Sequence, residues 1–203
     1  LFLTVRAILE YVHRRIFNYF IGRTLKPKGR INIHPSACLR GLVLMRFGEN
    51  FYTGPNIWLE AVTLPGSQNQ TPRIQIGNNV SLNENVHIAA ANLVKVGDNV
   101  LMASRIFITD HNHGSYSGPG ASNPEIAPML RDIQGDRQVL IEDNVWIGEM
   151  VSILPGVTIG RGCVIGSNSV VSSNIPEYSI AVGTPARVIK CYNFATKTWD
   201  RSR

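Results

Sequence analysis

Two histidines one residue apart, His111 and His113, stand in the run DHNHG at residues 110–114, with the carboxylate of Asp110 next to the first. Imidazole takes up and releases protons near neutral pH, so this cluster is the chain's best candidate for general-base chemistry. Trp146, in NVWIG, falls at an outward phase of the pattern around it, where an indole needs a covering partner. Cys38, Cys163 and Cys191 are too few and too scattered for a disulfide scaffold or a CxxC zinc site, and a reducing compartment is the default. Neither GxxxxGK[ST] nor GxGxxG after a strand is present, so the glycines serve turns and not a phosphate loop.

The elements that position these residues follow from a six-residue period. From Val139 the chain reads VLIEDN VWIGEM VSILPG VTIGRG CVIGSN SVV, with aliphatics at Ile141, Ile147, Ile153, Ile159, Ile165 and Val171. Two residues earlier in each unit stand Val139, Val145, Val151, Val157, Cys163 and Ser169, all small or β-branched. The same phase runs upstream through Phe47, Thr53, Leu59, then Ile76, Leu82, Ile88, then Val96, Met102, Ile108, with a shorter trace at Ile33 and Leu39. Inward residues two apart fit a short strand. Gly follows many of the aliphatics, and Asn or Gly recurs two residues later, types that tolerate positive φ and so mark a sharp corner. Three such units make one triangular coil of about eighteen residues, and stacked coils make a parallel β-helix. A helix is excluded over 139–171 by Gly148, Pro155, Gly156, Gly160, Gly162 and Gly166.

The chain has 203 residues, 44% hydrophobic and only 17% charged, which excludes a disordered segment and a charge-rich coiled coil. Its 20 Lys and Arg against 14 Asp and Glu give a net charge of +6. The basic residues are dispersed and no nucleic-acid reading motif accompanies them, so an anionic cofactor or lipid surface suits the charge better. No run of about 20 apolar residues spans a bilayer. Residues 1–25 place Val5, Ile8, Leu9, Val12, Ile16, Tyr19 and Phe20 at helical spacing, with Arg6, Arg14, Arg15 and Arg23 among them. Such a helix docks on the body or a neighbouring subunit, or lies on an anionic membrane. Neither a continuous apolar stretch nor a small-residue cleavage site marks it as a signal peptide.

The organisation read here is an N-terminal helical segment at 1–30, a β-helix at 31–175 and a C-terminal extension at 176–203. Two segments break the repeat: residues 65–73 (PGSQNQTPR) and the longer 110–138, opened by the two histidines. A long stretch without periodicity inside a compact domain is usually functional or disordered, and Gly114, Gly118, Pro119 and Gly120 make this one a mobile loop. Arg187 to Asp200 is expected to form a terminal helix, with Tyr192 and Trp199 covering the open end of the coil.

The tandem [LIV]-G-x-x-x-x unit resembles the hexapeptide-repeat, left-handed β-helix acyltransferases. Residues 108–114 (ITDHNHG), 143–160 (DNVWIGEMVSILPGVTIG) and 174–190 (NIPEYSIAVGTPARVIK) resemble the galactoside, maltose and surface-polysaccharide O-acetyltransferases within them. The left hand comes from this resemblance, since it runs against the usual crossover rule. The fold class implied is all-β, with a protruding loop at 110–138.

The resemblance implies transfer of acetyl from acetyl-CoA to a hydroxyl, with a loop histidine as base: His111, or alternatively His113. The acceptor implied is a sugar of a bacterial surface polysaccharide or its precursor. Asn83, Asn85, His113 and Trp146 are then acceptor-binding candidates, Asn85 also suiting a turn. Trp146, Glu149, Ser167, Ser172, Ser173, Arg187 and Lys190 match positions that contact CoA. Glu149 and Ser173 depart from the small and basic types expected there. A homotrimer with sites between subunits is implied, cytoplasmic and at the inner membrane face if the N-terminal helix binds lipid, with no nucleic acid and no metal. Two alternatives stand beside it. One is a zinc enzyme like the γ-carbonic anhydrases, with His87, His111 and His113 as ligands. The other is an acetyltransferase for a free small molecule.

Overall fold

The computed structural model describes residues 2–25, 27, 29–63, 71, 73–135 and 137–202. Each hexapeptide forms one short strand and one corner, and three units close a triangular turn. Face I of the resulting prism stacks Ile31–Asn32, Phe51–Thr53, Ser81–Leu82, Leu101–Met102, Trp146–Ile147, Val164–Ile165 and Ser179–Val182. Face II stacks Cys38–Arg40, Trp58–Ala61, His87–Ala90, Phe107–Thr109, Ser152–Ile153 and Val170–Val171. Face III stacks Met45–Phe47, Ile74–Ile76, Leu93–Val96, Gln138–Ile141 and Thr158–Ile159. All pairing between successive rungs is parallel and in register, as in Leu82, Met102, Ile147 and Ile165 on face I. This is the left-handed parallel β-helix class.

Register follows from burial. All of the phase-setting residues from Phe47 to Val171 lie inside the prism, and so do the smaller residues two positions earlier from Val139 to Ser169. Slipping any rung by one residue would turn its aliphatics to water, so the pattern holds the rungs in line.

The corners divide the labour between two kinds of residue. Asn50, Asn56, Asn79, Asn85, Asn99, Asn144, Gly156, Gly162 and Asn168 all have positive φ. The glycines directly after the aliphatics do something else: they lie outside that region and permit close approach. A Cβ on Gly77 would lie 2.5 Å from the carbonyl oxygen of Gly97 on the next rung, closer than any side chain tolerates. Arg105 and Met150 also turn corners at positive φ, which their residue types did not announce.

The two ends of the prism are finished differently. At the start, helix α1 (Phe2–Leu25) lays Phe17, Ile21 and Leu25 against the core. Asn18 gives its amide to the carbonyl of Ile33 and accepts the N–H of the same residue, both at 2.8 Å, completing the edge that the first rung would leave open. The apolar positions singled out in the sequence, Val5, Ile8, Leu9, Val12, Ile16, Tyr19 and Phe20, all face outward. No helix among the described residues is long and apolar enough to cross a membrane.

At the far end the expected terminal helix is absent. Arg187–Asn193 and Thr198–Arg201 form an antiparallel hairpin that adds to Ser179–Val182 and extends face I. A helix there would have left the backbone edge of that last face I strand unpaired, whereas two added strands satisfy it. Tyr192 and Trp199 pack edge to face at 5.2 Å on this hairpin and so brace the sheet extension rather than lid the prism. Residues 65–70 and 72 of the first interruption lie outside the described residues.

Ile153 is fully buried between Ile108 and Val171 of the adjacent rungs. Ile153→Ala is expected to cost about 2–5 kcal/mol, because a prism stapled above and below cannot collapse into the gap; equilibrium denaturation measures it.

Candidate active site

The edge between faces II and III is where the repeat opens. At most rungs a tight corner turns it, but longer stretches of sequence separate Ala61 from Ile74 and Thr109 from Gln138. The second excursion is organised. Asn112–His113 pairs antiparallel with Ile133–Gln134, and the Arg131 guanidinium donates to the carbonyls of Ile126 (2.9 Å) and Pro124 (3.1 Å). Its other Nη lies 3.1 Å from the Tyr116 hydroxyl, which donates to the carbonyl of His113 at 2.6 Å. The expectation of a loose, glycine-rich loop gives way to a folded arm clamped by one arginine.

Asp110 has no exposed surface, and both its oxygens are used. Oδ1 accepts the N–H of Ala91 and Oδ2 that of Asn92, each at 2.8 Å. Oδ1 also lies 2.9 Å from Nδ1 of His111, whose side chain is 11% exposed. Assigned from this geometry, Nδ1 carries the proton and donates to the carboxylate, leaving the Nε2 lone pair free. The Thr109 hydroxyl, 3.2 Å from the same nitrogen, flanks the bond. His113, two residues on, is exposed on the arm with its ring free of any such partner among the described residues.

His111 and His113 share a cavity of about 530 Å³ between face II and the arm, with Glu60, Ala89, Phe107 and Ile133 also on its walls. That volume lies in the range of small-molecule sites. His87, on the same wall, is sandwiched between Trp58 (4.4 Å, stacked) and Phe107 (5.3 Å, tilted). Its Nε2 is buried with no hydrogen-bond partner among the described residues. Among the described residues of one chain, no group of three His, Cys, Asp or Glu is arranged to hold a metal ion.

The family model for bacterial transferase hexapeptides (six repeats) matches residues 138–173. The chain is 43% identical over 160 residues to WbbJ of Escherichia coli K12, assigned as a lipopolysaccharide biosynthesis O-acetyl transferase, covering 78% of this chain and 77% of that one. It is 34% identical over 166 residues to the galactoside O-acetyltransferase of the same organism, covering 79% and 72%. The chain belongs to the hexapeptide-repeat acetyltransferase family. Among solved structures, a point mutant of AntD, an N-acyltransferase from Bacillus cereus in complex with dTDP-4-amino-4,6-dideoxyglucose and coenzyme A, shares the fold. That match has a TM-score of 0.70 at 20% identity, covering 88% of this chain and 90% of that one.

The remaining candidates of this acetyltransferase chain are spread over the prism. Asn83, Asn85, Glu149 and Ser167 lie at the edge between faces I and II, with Asn85 at positive φ turning the corner. Trp146 stands half exposed on face I, between Leu101 and Val164. Ser172 and Ser173 follow the last strand of face II, on the His111 edge, and Arg187 and Lys190 lie on the added hairpin. One chain therefore does not gather Trp146 and Asn83 into the His111 cavity. Sequence reasoning missed Arg73 and Glu60: a buried arginine after a polar loop carries no periodic signal, and Glu60 sits at an ordinary outward phase.

Burial, the largest cause, pulls the His87 pKa below its ordinary 6.5, His111 adding to the fall and Glu60 opposing it. The unfolded chain therefore binds a proton that the folded chain refuses, and stability falls as pH drops through about 6.5. His34, also lowered by burial and then by Arg14, adds to the trend. Thermal melts between about pH 7.5 and 5.5 are expected to show this loss, and His87→Phe to reduce it.

Proposed function

We propose that the chain transfers acetyl from acetyl-CoA to a hydroxyl of a sugar, in a bacterial surface polysaccharide or its precursor. The carrying observation is the imidazole of His111 oriented by a buried carboxylate at the mouth of a cavity on a hexapeptide prism. In this reading Nε2 of His111 takes the proton of the acceptor hydroxyl as its oxygen bonds to the thioester carbonyl carbon. The oxyanion is met by a backbone N–H or Asn83. Collapse breaks the C–S bond, and the imidazolium returns the proton to the departing thiolate of CoA. The relative at 43% identity supports the polysaccharide acceptor.

The spread of candidates supports a trimer in which the edge between faces I and II of one copy meets the His111 edge of the next. Two exposed apolar surfaces suit such contacts: the face I column of Tyr52, Leu101 and Trp146, and Met129 with Leu130 on the arm. In that arrangement Trp146 and Asn83 of a neighbour complete the pocket, and the pantetheine arm lies near Glu149, Ser167, Ser172 and Ser173. Arg187 and Lys190 then face the nucleotide phosphates. The helical segment at 1–30 and the extension at 176–203 flank the catalytic prism at 31–175.

His111→Ala is expected to lower turnover of acetyl-CoA with sugar acceptors by about 10²–10⁴-fold, with His113→Ala retaining most of it. The reverse pattern in a CoA-release assay would move the base to His113.

The outward face of α1 supports contact with a membrane. Large apolar side chains, Ile8, Leu9, Ile16 and Phe20 among them, point away from the body, with Arg15 and Arg23 on the same helix to meet anionic headgroups. This would place the enzyme on the cytoplasmic leaflet. Vesicles containing phosphatidylglycerol should carry the protein upward in flotation, and Ile8→Ser with Leu9→Ser should abolish this without affecting turnover of soluble acceptors.

A further inference from the structure

Arg73 is buried, with 6% of its surface exposed. A cation so placed is costly unless its donors are used. Nη1 donates to the carbonyl oxygens of Val62 and of Ala91, the latter at 2.5 Å. Val62 and Ala91 directly follow the face II strands of two successive rungs, at the edge from which His111 emerges one rung further on. Arg73 also joins the prism through its backbone: its N–H donates to Leu44 and its carbonyl accepts from Val94, both at 2.8 Å.

One peptide group links this cation to the base. The Ala91 carbonyl that accepts from Arg73 and the Asn92 N–H that donates to Asp110 Oδ2 belong to the same planar amide. The order is therefore guanidinium, C=O, N–H, carboxylate, imidazole. A cation at the oxygen polarises the amide and makes its N–H a stronger donor, as happens along any hydrogen-bond chain in a low-dielectric interior. The neighbouring Ala91 N–H adds a second bond to Asp110 from the same corner.

We propose that Arg73 is a positioning residue for the catalytic base, acting through the Ala91–Asn92 peptide to hold Asp110 where it fixes the tautomer and direction of His111. Arg73 is not among the residues that line the His111 cavity, so its effect is expected in kcat rather than in substrate binding. Both carbonyls bond the same Nη1, so lysine replaces it only in part, its ammonium standing on a side chain shorter by about one bond. The proposal rests on His111 being the base.

The test is a double-mutant cycle in the full-length protein, with acetyl-CoA and a sugar acceptor that the wild type turns over, combining Arg73→Met with Asp110→Asn. Arg73→Met is expected to lower kcat by about tenfold or more while leaving KM for acetyl-CoA within about twofold. In the Asp110→Asn background the same change should cost little, since the link is already broken. The acid limb of the kcat/KM profile should move in the same direction in both single variants. A bystander cation near His111 would move it oppositely, its removal raising the pKa of the base. Arg73→Lys covers the case in which Arg73→Met does not fold, and should show an intermediate loss. With the fold retained, the ¹⁵N shifts of the His111 ring should reveal a mixed tautomer in either Arg73 variant.

Additive losses in the cycle, an unchanged kcat in Arg73→Lys and Arg73→Met, or an undisturbed His111 tautomer would overturn the proposal while His111→Ala remains inactive. An active His111→Ala would instead remove the reading on which it rests.

Discussion

Apolar side chains stacked along the axis of a triangular prism hold every other feature in place. No single rung has a core of its own. Each aliphatic finds its neighbours on the rungs before and after, so burial is shared along the chain rather than completed within a layer. The same stacking sets strand register, because a one-residue slip would exchange inner and outer side chains on a whole face. Corners with positive φ at the asparagines, and glycines pressed against the next rung, are the local conditions under which this stacking can proceed.

A regular prism offers no chemistry, and the proposed site falls where regularity is given up. Both interruptions fall at one edge, and backbone groups of that edge meet its buried charges. Asp110 takes two amides of the corner below it, and Arg73 takes carbonyls of two such corners. Burying these charges is tolerable because the corners supply matching donors and acceptors at fixed positions. The imidazole is thereby anchored to the most rigid part of the molecule, while the arm that closes over it is built on the less regular Arg131 clamp.

The ends of the prism show the same need to satisfy backbone. Asn18 pairs with Ile33 at the first rung, and the terminal hairpin pairs with Ser179–Val182 at the last. Residues 187–200 suggest a helix in sequence because their own pattern is ambiguous over so short a span. What decided for strands was the open edge waiting beside them, a tertiary fact. The N-terminal helix is legible as a helix, but its packing face is not: Phe17, Ile21 and Leu25 touch the core while the more conspicuous apolar row looks outward.

The six-residue period by itself determined the prism, its inward residues, nearly all of its corners and the place where a histidine pair leaves it. Periodicity carries that information because each unit repeats one local geometry, and stacking multiplies a small bias into a single register. Only the tertiary structure decided that His111 and not His113 is bonded to Asp110, that Arg73 is buried beneath them, and that Trp146 stands on another face. Those outcomes depend on which corners lie above one another, and residues far apart in sequence, such as Arg73, Ala91 and Asp110, meet only once the coil has wound.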